Sequence, residues 1–322
     1  MKTSTSKRLR WNVAIWLAAG LFMTSTAGMA SGPILPDPKA EARHHPQIEE
    51  TANGIPLVNI TAPSSGGVSR NEYETFNVPD KGAILNNSYT LSKTELAGYV
   101  QGNNNMAERP AKIIVNEVTG AGSTSMDGFL EVAGNRADVV IANPNGITVN
   151  GGGFINTGKA FLTTGKPVYD GEDHLQRFDI TGGDILIEGK GLGGKETESL
   201  AILSRAVKIN AGIWAKDLHI TTGANTVDAK TLEASAIEGK GGRPAFALDT
   251  AAIGGMYAGR ITLVGTEKGL GVNNSGTWSA EDNLTLDWNG DLKNSGTIYS
   301  KGNTDLRASR LENDKTIAAE RN

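Results

Sequence analysis

The sequence of 322 residues contains no cysteine. In an exported chain disulfides are permitted and often useful, so their absence leaves two readings open. Either a large β core makes them unnecessary, or the chain must later thread a narrow pore unfolded, where a bridge would block it. Aromatic residues are sparse at 6%, and beyond residue 30 no segment is apolar enough to span a bilayer. Helical periodicity is scarce as well. Thr94 to Val100 and Glu196 to Arg205 are the best stretches, and both are short. Of the four histidines, His44 and His45 are adjacent while His174 and His219 stand alone, which gives no metal-ligand spacing. With no cysteine nucleophile and no GxSxG elbow, neither a catalytic centre nor a cofactor is expected.

Positive charge is short once the first thirty residues are set aside. Lys2, Lys7, Arg8 and Arg10 precede an apolar run from Trp11 to Met23, broken only by Asn12. The stretch TSTAGMA follows, with Gly28 and Ala30 at the −3 and −1 positions of a cleavage site between Ala30 and Ser31. Residues 1–30 therefore read as a secretory signal peptide, too short in its core for the ~20 apolar residues of a membrane span. The remainder carries 27 basic against 35 acidic residues, a net charge of −8. That balance argues against nucleic acid as a partner.

Glycine is plentiful at 41 residues, roughly twice the average usage of ~7%. After a charged, proline-rich stretch over residues 31–50 that reads as a flexible leader, short apolar or alternating runs recur. IPLVNI, KIIVNEV, DVVIAN, DILIEG and RITLVG are examples, each ending near Gly, Asn or Asp. Between two such runs lies IANPNGITVNGGGFIN, residues 141–156. Pro144 presets φ for a turn corner, and Asn145 and Gly146 tolerate left-handed backbone.

A repeat emerges at the C-terminal end. Asn274, Asn294 and Asn313 align, as do Thr277, Thr297 and Thr316, and Asn283, Asn303 and Asn322, at spacings of 20 and then 19 residues. A period near 20 with strands and no helix predicts one solenoid coil per repeat. Inward Thr, Ile and Leu would stack from coil to coil, and equivalent Asn residues would form hydrogen-bonded ladders. A repetitive antiparallel sandwich is the alternative, and the aligned Asn register favours the solenoid. The sequence stops part-way through its third repeat, so either the natural protein is expected to continue or the gene is truncated.

Two features invite an enzymatic reading. GKGLGG, Gly189 to Gly194, matches GxGxxG and precedes a stretch that could be a helix, but a dinucleotide site needs a surrounding βαβ pattern. Asp170, Glu172 and Asp173 would suit a β-helical polysaccharide lyase or hydrolase; such loop acids are usually solvated surface. The chain is read as a non-enzyme.

IANPNGITVNGGGFINTGKAFLTTGKP strongly resembles the secretion domain of two-partner-secreted exoproteins, the filamentous haemagglutinin and contact-dependent growth inhibition family. NGIPLVNI, LAGYVQGNNNM, IIVNEVTG and ALDTAAIGGMYAGRITLVGTEKGLGV match in the expected order, and the likeness covers nearly the whole mature chain. The resemblance implies an all-β fold, a right-handed parallel β-helix with an N-terminal cap. Residues 51–270 would form the secretion domain, and residues 271–322 would begin haemagglutinin-type repeats. It implies recognition in the periplasm by an outer-membrane β-barrel transporter bearing POTRA domains, then secretion to the surface of a Gram-negative cell. Of the family's two hallmark motifs, NPNGI stands intact as Asn143, Pro144, Asn145, Gly146 and Ile147. NPNL is altered to Asn103, Asn104, Asn105 and Met106. A stand-alone adhesin binding host or neighbouring bacterial surfaces is the second reading.

Overall fold

The computed structural model describes residues 34–106 and 109–321; the signal segment, with Ala30 and Ser31, lies outside them. Each coil is three strands long. Near the C-terminus Gly271–Asn274, Thr277–Ala280 and Leu284–Trp288 are followed one coil on by Asp291–Asn294, Thr297–Ser300 and Thr304–Arg307. We call the face containing Thr277–Ala280 the first, that of Leu284–Trp288 the second and that of Gly271–Asn274 the third. Stacking from coil to coil along these faces is parallel. Ala83–Asn87 and Phe129–Gly134 belong to the first, Ile113–Val118 and Ala137–Ala142 to the second, and Ile147–Val149 and Asp184–Ile187 to the third. Gly212–Thr222 and Gly255–Gly265 are long enough to serve the first face and then the second. This is a parallel β-helix.

Alternation explains which side chains fill it. On the second face Leu218 and Ile220 stack on Ile261 and Leu263, then on Leu284 and Leu286, and all six are fully buried. Val, Ile and Leu suit this pleated stack, where each rung covers the last. The expected ladder is present on the third face: Asn274 Nδ2 donates to Asn294 Oδ1 at 2.7 Å, and Asn294 Nδ2 to Asn313 Oδ1 at 2.7 Å. Thr277, Thr297 and Thr316 share one register column, and Asn303 N–H donates to Asn283 Oδ1. The ladders pass residue 270 without a break, since Leu248 pairs with Val272.

Three readings of local sequence are corrected. Residues 34–50 are not a flexible leader: Leu35–Pro36 pairs antiparallel with the strand Val68–Thr75, and Gln47–Glu50 with Pro56–Asn59. Ile34 is buried in the end of the core and Ile48 packs against it, so the segment caps an edge that would otherwise invite pairing. Thr94 to Val100 is no helix but part of a hairpin, Ser92–Thr94 with Gly98–Val100. Within Glu196 to Arg205 the strand Ser199–Ser204 lies in the second face, because Leu200 and Ile202 enter the core while Ala201 and Leu203 are buried outside it.

That outer burial comes from two additions to the solenoid. The hairpin of residues 92–100 lies over the first face, where Glu131 accepts the N–H of Glu95 at 2.7 Å and of Leu96 at 2.9 Å. Over the second face lies an antiparallel sheet ordered Lys166–Tyr169, Leu175–Ile180, Asn225–Asp228, Ala234–Ala236. Its Phe178 and Val227 form a second core with the outward Val115, Val140 and Phe161.

Candidate functional site

The NPNGI motif turns the chain from the second face, after Ala142, to the third, before Ile147. Asn143 closes the turn on itself, its Oδ1 accepting Asn145 N–H at 2.9 Å and its carbonyl accepting Gly146 N–H at 3.1 Å. Its Nδ2 reaches the preceding coil, donating to Gly122 O at 2.9 Å and Thr124 Oγ1 at 3.0 Å. Asn145 Nδ2 donates to Gly120 O at 2.8 Å. Gly146 has φ +112°, and a Cβ there would lie 3.0 Å from Asp184 O, so both conformation and space select glycine. Ile147 enters the core, while Pro144 and Asn145 face solvent.

The altered motif builds the same device at another corner, between the first-face strand Ala83–Asn87 and the second-face strand Ile113–Val118. Asn103 Oδ1 accepts Asn105 N–H at 2.9 Å, and Asn103 O accepts Met106 N–H at 3.0 Å. Asn103 Nδ2 donates to Ile60 O and Asn86 O, both at 2.9 Å, and Asn105 Nδ2 donates to Ile60 O at 3.1 Å. Met106 is buried in the core as Ile147 is. Asn104 occupies the exposed place of Pro144. In each turn one buried amide fastens the corner to a carbonyl of the coil beneath and to one further acceptor, Thr124 Oγ1 or Asn86 O, a role that needs donor and acceptor in one short side chain.

A cluster that sequence reasoning missed lies at the capped end. His44 Nδ1 is 3.1 Å from Glu72, and Arg70 bridges Glu72 at 2.8 Å and Glu117 at 3.2 Å. The Arg70 guanidinium sits 4.5 Å above the Tyr169 ring. Burial, then the neighbouring Arg70 charge, pushes His44 below the usual histidine range. Burial outweighs Arg70 at Glu117 and raises its carboxyl. In the sequence SRNEYE alternates like a solvated strand; Tyr169 of the overlying sheet covers Arg70 and His44 of the cap covers Glu72, while Glu74 stays exposed.

The acids offered as a catalytic group fasten this region instead. Asp173 pairs with Arg43 at 2.7 Å, and Asp170 accepts His174 N–H at 2.9 Å and lies 3.0 Å from His174 Nδ1. Those bonds, the backbone one foremost, hold Asp170 below its ordinary range. They sit at a hairpin tip. GKGLGG forms the corner between the third-face strand Asp184–Ile187 and the first-face strand Leu192–Gly194, with Gly189 at φ +57° and Gly191 at φ +80°, and leads into strand rather than helix. Among the described residues no group of three or more His, Cys, Asp or Glu is placed to hold a metal ion.

The sequence profile of the TPS secretion domain family matches residues 33–298. The chain belongs to that family. The TPS domain here is 43% identical over 298 residues to Toxin CdiA of Yersinia pestis, covering 85% of this chain and 9% of the relative. It is 44% identical over 280 residues to the 16S rRNA endonuclease CdiA of Enterobacter cloacae subsp. cloacae, covering 86% of this chain and 8% of that protein. The crystal structure of the filamentous hemagglutinin secretion domain superposes with a TM-score of 0.75 at 30% identity, covering 90% of this chain and all of the other. The TPS domain thus spans less than a tenth of the length of these CdiA relatives. The activities in their names belong to much longer proteins.

Proposed function

We propose that this chain targets a larger exoprotein for export, being recognised in the periplasm by the POTRA domains of an outer-membrane barrel and folding at the cell surface. The family match across residues 33–298 carries the reading, and it favours a passenger's address over an enzyme. In such a role Asn103, Asn104, Asn105 and Met106, like Asn143, Pro144, Asn145, Gly146 and Ile147, serve the fold first, by fixing corners near the cap. Folding itself can drive the movement. The periplasm offers no ATP, and a nucleated solenoid that adds coils outside prevents backsliding. At ~0.05–0.15 kcal/mol per residue, a coil of ~20 residues is worth roughly 1–3 kcal/mol, above the ~0.6 kcal/mol of RT and enough to rectify diffusion.

The test is secretion. Residues 1–322 are expressed in a Gram-negative host with and without the neighbouring candidate barrel protein, and the culture medium is immunoblotted. Partner-dependent appearance in the medium is expected. Retention in the periplasm beside a properly inserted barrel would refute the targeting role, and a purified chain that stayed unfolded in buffer would refute the folding drive.

A further inference from the structure

The first face carries an outward column that neither covering element occupies. It runs Phe129, Gly153, Gly193, Trp214, Tyr257 in successive coils. Ser279 and Tyr299 extend it. Phe129 is 43% exposed and Tyr257 39%, and Trp214 stacks on Tyr257 with centroids 6.2 Å apart and planes 16° from parallel. One stacked pair of rings with a third exposed ring in the same column is apolar surface that a partner can cover.

The glycines shape the space between the rings. The Phe129 ring lies over Gly153, where a Cβ would stand 2.4 Å from it, and Trp214 lies over Gly212, where the distance would be 2.5 Å. Gly193 is uncrowded: a Cβ there would make only ordinary contacts, 3.8 Å from Gly152 O and from the edge of the Phe129 ring. Phe129 and Trp214 are three rungs apart, roughly 14 Å at ~4.8 Å per rung. Between them is a cavity of about 320 Å³ lined by Phe129, Phe154, Gly193, Lys195, Glu196 and Trp214. That volume is at the small end of ligand sites, which are apolar with a few placed polar groups.

Charge selects the occupant. At the neighbouring corner Arg260 pairs with Asp217 at 3.3 Å and Lys301 with Glu281, beside the exposed Lys216. The cavity itself offers one charge of each sign, Lys195 and Glu196. Such a surface complements an uncharged ligand that presents C–H groups to a ring face and hydroxyls to a donor and an acceptor. An anionic polymer would meet Glu196, and an apolar peptide would leave Lys195 and Glu196 desolvated without partners.

We propose that this strip binds a neutral glycan chain. One pyranose sits over Gly193, its axial C–H groups against the negative faces of Trp214 and Phe129. Lys195 donates to its hydroxyls and Glu196 accepts from them. Further sugar units extend along Tyr257 toward Tyr299.

The experiment titrates the purified chain with neutral cello-, laminari- and maltohexaose, and with polygalacturonate as the acidic control, by calorimetry and tryptophan fluorescence. At least one neutral hexasaccharide is expected to bind. Gly193→Val, whose branched side chain suits a strand and fills the open floor, should weaken it about tenfold or more while circular dichroism and melting stay unchanged. Trp214→Ala should weaken it as well. The proposal is overturned if no neutral hexasaccharide binds at millimolar concentration, if polygalacturonate binds more tightly, or if Gly193→Val leaves binding unchanged. Loss of secretion by Gly193→Val in a chain that binds no glycan would assign the strip to the transporter and overturn it too.

Discussion

The two ends of the solenoid are filled differently, and one inward column shows it. On the second face that column begins with Asn71 and Asn116, then becomes Ile141, Leu162, Ile202, Ile220, Leu263, Leu286 and Leu306. At the capped end the Oδ1 atoms of these amides accept from donors that do not recur, while each Nδ2 donates to a carbonyl of the next coil, Asn116 to Val140 O as Asn71 to Val115 O. Tyr73 Oη donates to Asn116 Oδ1 at 3.0 Å, Asn71 Nδ2 to Val115 O at 3.2 Å, and Thr61 N–H to Asn71 Oδ1 at 2.9 Å. At the other end one coil is nearly a copy of the next. Sliding the C-terminal repeats by a whole coil would exchange Asn for Asn and Thr for Thr, whereas sliding the capped end would orphan buried polar groups at about 1–3 kcal/mol each. The capped end therefore fixes register and the repeats inherit it, which is what a chain that folds from one end requires.

The largest expected effect comes from cutting into the repeats. Trp278 is fully buried, in register with Met256 and Ile298, and its Nε1 donates to Thr250 Oγ1 at 3.0 Å. Trp278→Ala should cost about 3–5 kcal/mol. Because each coil touches only its neighbours, urea unfolding should resolve into an early loss of the C-terminal coils and a later one of the capped end. A single shifted transition by both circular dichroism and fluorescence would break the comparison.

Much of this was legible beforehand. The period of 20 and 19 residues gave the coil, and the Asn and Thr alignments gave its register, because identical residues in a parallel stack face the same neighbours. Asn143 and Asn145 could be read as a turn from their own chemistry. What sequence withheld was contact across long separations. Arg70 and Glu72 alternate like exposed charges until Tyr169 and His44 cover them, and Ile34 and Ile48 look isolated until they close the core. The exposed column of Phe129, Trp214 and Tyr257 was hidden for the same reason: coils of unequal length bring together residues 85 and 43 positions apart.

Removing one amide from each end sharpens the contrast. Asn143→Ala strips the bonds to Gly122 O and Thr124 Oγ1 together with the closure by Asn145 N–H, and should cost about 2–3 kcal/mol of global stability. Asn294→Ala breaks the ladder to Asn274 and Asn313 but beside a terminal coil whose strand Arg310–Asn313 is exposed. It should cost about 1 kcal/mol and show mainly as faster amide exchange over residues 310–319. Equal losses in the global transition would mean that the capped end holds no special place.

The smallest effect is a gain. Asn104 stands at the exposed corner that Pro144 fills in the matching turn, and both turns close by the same two bonds from the Asn before it. Proline at that corner keeps φ near −65° and removes conformations from the unfolded chain, worth about 0.4–1 kcal/mol where the native backbone accepts it. Asn104→Pro should therefore raise the urea midpoint with an unchanged slope, and do so through the capped end alone, leaving exchange over residues 310–319 as it was. A fall in the midpoint would show that the two turns, alike in their hydrogen bonds, differ in backbone at this residue. The altered motif would then be a different corner and not a variant of the intact one.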